Sequence, residues 1–74
     1  MNDSKRKILI IENEANISSI ISTRFLYLGY DVSLSTNGAE ALIIFNQECP
    51  DLVIIDILLP KIDGVEQARN VYYM

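Results

Sequence analysis

Between Asp51 and Gly64 the chain reads Asp-Leu-Val-Ile-Ile-Asp-Ile-Leu-Leu-Pro-Lys-Ile-Asp-Gly, an apolar run broken by one carboxylate, Asp56. Cys49-Pro50 stands before it and Pro60 closes it. A short continuous apolar run between turn residues predicts a strand buried on both faces, the kind found inside parallel sheets. That strand is assigned to Leu52–Ile57. In open parallel sheets, ligands collect outside the carboxyl ends of the strands. Asp56 falls where this strand should emerge from the sheet, which makes it the residue to explain.

A second run of the same kind, Ile8-Leu9-Ile10-Ile11, ends in the polar cluster Glu12-Asn13-Glu14. Ala15 to Leu28 predicts a helix, with Ile17, Ile20, Ile21, Phe25 and Leu28 along one face and Gly29 as the left-handed residue that closes it. Tyr30 to Ser35 alternates, placing Tyr30, Val32 and Leu34 on one face and Asp31, Ser33 and Ser35 on the other. A strand apolar on one side belongs at a sheet edge. Asn37 caps a second helix with Glu40 reaching back to it; Ala41, Leu42 and Phe45 form its apolar face and Pro50 stops it. After the central strand, Asp63 and Glu66 form a capping box for a third helix, with Val65, Ala68, Val71 and Tyr72 turned inward.

The order is strand, helix, strand, helix, strand, helix, which makes a parallel α/β sheet with right-handed crossovers. The half-polar second strand goes to the edge, the first beside it and the third beyond, giving the order 2-1-3. The third strand is apolar on both faces and calls for a further neighbour. The expectation is a truncated doubly wound, flavodoxin-like domain.

Seventy-four residues allow one small domain. A single cysteine and the lack of histidine exclude an internal disulfide and a zinc site. A net charge of −4 argues against a nucleic-acid surface. The charged start is followed by an apolar run too short for a signal core or a membrane span. These features predict a soluble, cytoplasmic chain.

The acidic cluster after the first strand, Asp56, the following Leu58-Leu59-Pro60-Lys61 and the helix start at Asp63-Gly64 together resemble the receiver domain of two-component response regulators. The preceding Asn37-Gly38-Ala39-Glu40-Ala41-Leu42 supports the match, which runs from Lys7 to about Val71. It looks closest to members with a winged-helix DNA-binding domain, as in cyanobacteria and algal plastids. The resemblance implies that Asp56 is the phosphoacceptor, receiving a phosphoryl group from a sensor histidine kinase, with plastid stroma as an alternative location. It implies Mg²⁺ held by Glu12, Asn13, Asp56 and the backbone carbonyl of Leu58. Two aspartates are usual where Glu12 and Asn13 stand; the neutral amide of Asn13 removes a charge and should weaken the metal. Lys61 matches a loop position, not the family's phosphoryl-binding lysine.

Residues 1–74 are expected to be a partial receiver domain, without the family's fourth and fifth strands, their phosphoryl-contacting Ser or Thr and Lys, and the effector domain through which DNA would be bound. The chain is not expected to be an enzyme. Glu14 and Asp63 are read as helix-terminus residues, and Cys49 as an inert residue ending the second helix. Two functions stay open. One is a phosphoacceptor controlling transcription in a longer protein. The other is a phosphorylation-incompetent remnant or strand-pairing fragment, with a homodimer through an unpaired edge of the third strand.

Overall fold

The computed structural model describes residues 5–60 and 67–73. The elements are β1 (Lys7–Ile11), α1 (Ala15–Tyr27), β2 (Asp31–Ser35), α2 (Gly38–Glu48), β3 (Leu52–Pro60) and β4 (Gln67–Tyr73). They form one sheet in the order β2-β1-β3-β4. The first three strands are parallel, with Ile8 opposite Val32 on one side and Leu52 on the other. The α/β class and the order 2-1-3 are those the residue pattern predicts, and β2 lies at the edge.

The sheet buries a different apolar set on each face. Ile8, Ile10 and Ile54 pack beneath Ile21 and Phe25 of α1, with Tyr30 and Val32 alongside. Leu9, Ala41 and Val53 form the other cluster, with Ile44 of α2 and Ile11 and Ile55. The continuous apolar runs are explained by this arrangement, because alternate residues of one strand serve opposite cores. At the base, the Lys7 N–H donates to Asp51 Oδ2 and the Asp51 N–H to the Lys7 carbonyl, both at 2.8 Å, pinning the start of β3 to β1.

The helices end where local chemistry demands. Gly29 adopts φ 96 after α1, as expected. The Glu40 N–H donates to Asn37 Oδ1 at 2.8 Å, so Asn37 is the N-cap of α2. Glu40 Oε1 accepts from the Thr36 N–H at 3.2 Å, one residue further back than a strict capping box. Cys49 ends α2 with φ 49, a left-handed conformation glycine usually supplies.

The face of α1 is rotated from the expected one. Ile21 and Phe25 face the core as predicted, but Ile20 is 67% exposed and Leu28 is also exposed. Ser18 and Ser22 are buried instead, each hydroxyl donating within the helix, to the carbonyls of Ala15 and Ser19. Small serines whose polar groups are satisfied locally let the helix approach the sheet closely. On α2, Ala41 is buried as expected and Ile44 half-buried, while Leu42 and Phe45 are more exposed than the pattern predicted. On β2, Ser35 rather than Leu34 is buried.

The largest departure follows β3. Over Gln67–Tyr73 the expected third helix is a strand, antiparallel to β3, with Ile54 opposite Tyr73 and Pro60 opposite Gln67. Val71 and Tyr72, expected to face inward from a helix, are exposed. Asp63, Gly64 and Glu66, read as the start and capping box of that helix, and Val65, read as facing inward from it, lie outside the described residues, as does Lys61. Pairing supplies partners for backbone groups that β3 would otherwise leave unsatisfied, and Val71-Tyr72-Tyr73 suits a strand. The neighbour that β3 required is thus the chain's own end segment. The β3 edge expected to be free for a homodimer is occupied by β4 from Ile54 to Pro60, while the side of β3 toward β1 is paired only through Ile55 among the described residues.

Candidate functional site

β1 stops at Ile11, opposite Ile55 of β3. Glu12 and Asp56 are the next residues on the two strands, so they lie level with each other about 5 Å apart; β3 runs on to Pro60, however, so Asp56, expected where the strand emerges from the sheet, lies inside it. They also share a face. Ile10 and Ile54 point toward α1, and with a period of two the residues that follow them at Glu12 and Asp56 point the same way. Glu12 is 2% exposed and Asp56 6%.

The backbone around Glu12 is held firmly. Its N–H donates to the Ser35 carbonyl at 2.9 Å, extending the β1–β2 ladder by one bond. Its Oε1 accepts from the Glu14 N–H at 3.0 Å, which folds the chain back into the start of α1. Ser35 is 1% exposed and its hydroxyl donates to the Asn37 carbonyl at 2.7 Å. Ser35 therefore fixes both the end of β1 and the approach to α2. Alternation had placed it on the solvent face; the signal for its role was its position as the last strand residue before the Asn37 cap.

Asn13 sits in the bend between Glu12 and α1, exposed beside the buried pair. No acidic residue occupies the first turn of α1, and Glu12 and the N-cap Glu14 are the carboxylates nearest the positive end of its dipole. Glu14 is the N-cap by position, with no side-chain cap hydrogen bond of its own. Asp56 lies opposite Val71 of β4, and Leu58, two residues on, opposite Arg69. The four residues singled out in the sequence are thus distributed over one sheet end. Glu12, Asn13 and Asp56 cluster there, while Leu58 lies further along β3, past the end of β1.

The arrangement suits a cation more than a catalytic proton relay. Two like charges at one sheet end repel unless a positive charge lies near them. The donors that the resemblance implies are all oxygen: the carboxylates of Glu12 and Asp56, the Asn13 amide and the Leu58 carbonyl, the last set further along β3. That set fits Mg²⁺, which takes one or two carboxylates and completes its shell with water. Among the described residues, no group of three or more His, Cys, Asp or Glu side chains is placed to hold a metal. No helix among them is long and apolar enough to cross a membrane.

Residues 8–72 match the family model of the response regulator receiver domain. The chain is 48% identical over 64 residues to a "Probable transcriptional regulator ycf27" of Porphyra purpurea, covering 86% of this chain and 26% of that protein. It is also 48% identical over 69 residues to a protein of the same description in Guillardia theta, covering 93% and 27%. To the "Alkaline phosphatase synthesis transcriptional regulatory protein PhoP" of Bacillus subtilis (strain 168) it is 37% identical over 65 residues, covering 88% and 27%. The chain spans about a quarter of the length of these relatives. No solved structure matches it.

Proposed function

The chain belongs to the response regulator receiver domains, and on that premise we propose that Asp56 is the phosphoacceptor of a two-component pathway. The observation that supports this most is the register. It brings Asp56 and Glu12 to the same end and the same face of the sheet. A carboxylate is competent as a nucleophile toward phosphorus, giving an acyl phosphate. One oxygen of Asp56 forms the new bond to phosphorus while the donor's bond to it breaks, and the donor leaves with that bond's electrons. The donor in a cell is a sensor histidine kinase. The chain is a stoichiometric acceptor in this reading, not an enzyme, and acts in the cytoplasm or the plastid stroma.

Glu12, Asn13, Asp56 and the Leu58 carbonyl would hold Mg²⁺. When bound, the ion neutralises charge on the phosphoryl oxygens. Glu12, anchored by Ser35 and Glu14, orients its carboxylate toward the site, and Asn13 contributes a neutral oxygen. Control of transcription belongs to a longer protein of the kind that the relatives are, with DNA bound by an effector domain outside these 74 residues.

A second reading is favoured by one specific observation. Asp56 lies inside a continuous strand with β4 alongside it and is nearly buried. A nucleophile needs an in-line approach, and a phosphorylation-incompetent domain that only pairs with others is the alternative. One experiment separates the two. The chain is incubated with Mg²⁺ and acetyl phosphate and its intact mass recorded. The first reading requires the mass of one added phosphoryl group, lost in Asp56→Asn. A folded chain that gains no mass establishes the second.

A further inference from the structure

β4 ends the sheet, and over its seven residues its outer edge has no strand on it among the described residues. The opposite edge is blunted: β2 begins with Asp31, and its Ser33 hydroxyl donates to Glu48 Oε1 of α2 at 2.7 Å. β4 has a single charged residue, Arg69, and otherwise few of the usual protections of an edge. Gln67-Ala68-Arg69-Asn70-Val71-Tyr72-Tyr73 contains no proline and no acidic residue, and it ends in a β-branched residue and two aromatic ones. Val71, Tyr72 and Tyr73 are 41%, 47% and 67% exposed. Among the described residues the strand touches β3 and no other element.

We infer that this edge is an interface between two copies of the chain, which pair β4 to β4 antiparallel about a two-fold axis. An antiparallel edge is complementary to itself, so the same patch serves both partners. The register that joins all seven residues is unique. It sets Asn70 opposite Asn70 of the second copy, Arg69 opposite Val71, Ala68 opposite Tyr72 and Gln67 opposite Tyr73. The strand's one charged residue, Arg69, is therefore never in register with itself. The product is a continuous eight-stranded sheet whose two outer edges are both the protected β2. The contact is narrow, well under the ~800 Å² per partner of a stable complex. The dimer is accordingly weak and forms at high concentration.

Sedimentation of the chain over a wide concentration range tests this first. The apparent mass should rise from the 8.4 kDa of one chain toward twice that value. Register is tested by cysteines in a Cys49→Gly background under mild oxidation by oxidised glutathione. Across an antiparallel pair the Cα atoms lie about 4.5–5.5 Å apart, within disulfide range. Asn70→Cys should cross-link to itself. Gln67→Cys should not, its partner being roughly 20 Å away, but a mixture of Gln67→Cys and Tyr73→Cys chains should. A chain monomeric at every concentration overturns the inference, and would leave the edge to a strand of another polypeptide. So does equal cross-linking of the Asn70→Cys and Gln67→Cys chains, which marks random collision.

Discussion

Asn13 lies beside two buried carboxylates, and Asn13→Asp adds a charge at almost constant size. At the proposed metal site the new carboxylate would replace a neutral oxygen, and affinity for Mg²⁺ should rise about tenfold, ~1.4 kcal/mol. Without Mg²⁺ the same charge repels Glu12 and Asp56, so the variant should melt below the parent. Melting with and without Mg²⁺ checks both signs; a variant no more responsive to Mg²⁺ than the parent removes Asn13 from the site. At Cys49 the left-handed backbone, φ 49, strains any side chain. Cys49→Gly should stabilise by about 0.5–1 kcal/mol in urea unfolding, whereas Asn37→Ala, which deletes the cap bond to Glu40, should destabilise by ~1 kcal/mol. At this scale the residues that could be read from sequence are those whose chemistry is local. Glu12, Asp56, Asn37 and Gly29 each follow from the residues next to them. Ser35 did not, because its burial depends on how the chain turns from β2 into the Asn37 cap.

The helices show where periodicity stops being sufficient. A pattern of isoleucines four and three apart gives α1 two possible apolar stripes, one through Ile17, Ile20 and Ile21, the other through Ile21 and Phe25. Packing selected the second, because Ser18 and Ser22 lie beside it and allow a close approach to Ile8, Ile10 and Ile54. Ile21→Ala should therefore cost about 2–4 kcal/mol and Ile20→Ala less than about 0.5 kcal/mol. Equal losses in denaturant unfolding would show that the helix is not oriented as described. Gln67–Tyr73 is a harder case. Its residues carry both a helical spacing, in Ala68, Val71 and Tyr72, and a strand composition, in Val71-Tyr72-Tyr73. Local pattern cannot choose between them. The unmade edge of β3 does, and that edge is a property of the sheet, invisible within the seven residues themselves.

Across the whole molecule, strand lengths divide the fold into a body and an arm. β1 pairs with β3 through Ile55, so Asp56–Pro60 have only β4 beside them among the described residues. Five residues of strand extend roughly 16 Å, and the principal extents are 54 × 25 × 19 Å. The radius of gyration is 13.8 Å, against about 11 Å for a compact chain of this length. A two-stranded ribbon is marginal by itself, whereas Leu9, Ile10, Val53 and Ile54 are covered on both faces. Hydrogen exchange should then show two tiers. Amides of β1 and of β3 before Asp56 should open only with global unfolding, at ~4–11 kcal/mol for this length; those of β4 should exchange far faster. Ile10 is wholly buried, and Ile10→Ala should lower the first tier by about 3 kcal/mol while leaving most of β4 unchanged, since β4 meets that core only where Tyr73 pairs with Ile54 and does not contact β1. If β4 lost protection in step with β1, the arm would unfold with the body and the division would be wrong. The consequence reaches the site, because Asp56 is the residue at which body becomes arm. Its backbone is held by the stable tier through Ile55 and paired with Val71 of the labile one. Opening β4 should therefore free one side of the strand at the candidate phosphoacceptor without disturbing the register that sets it level with Glu12.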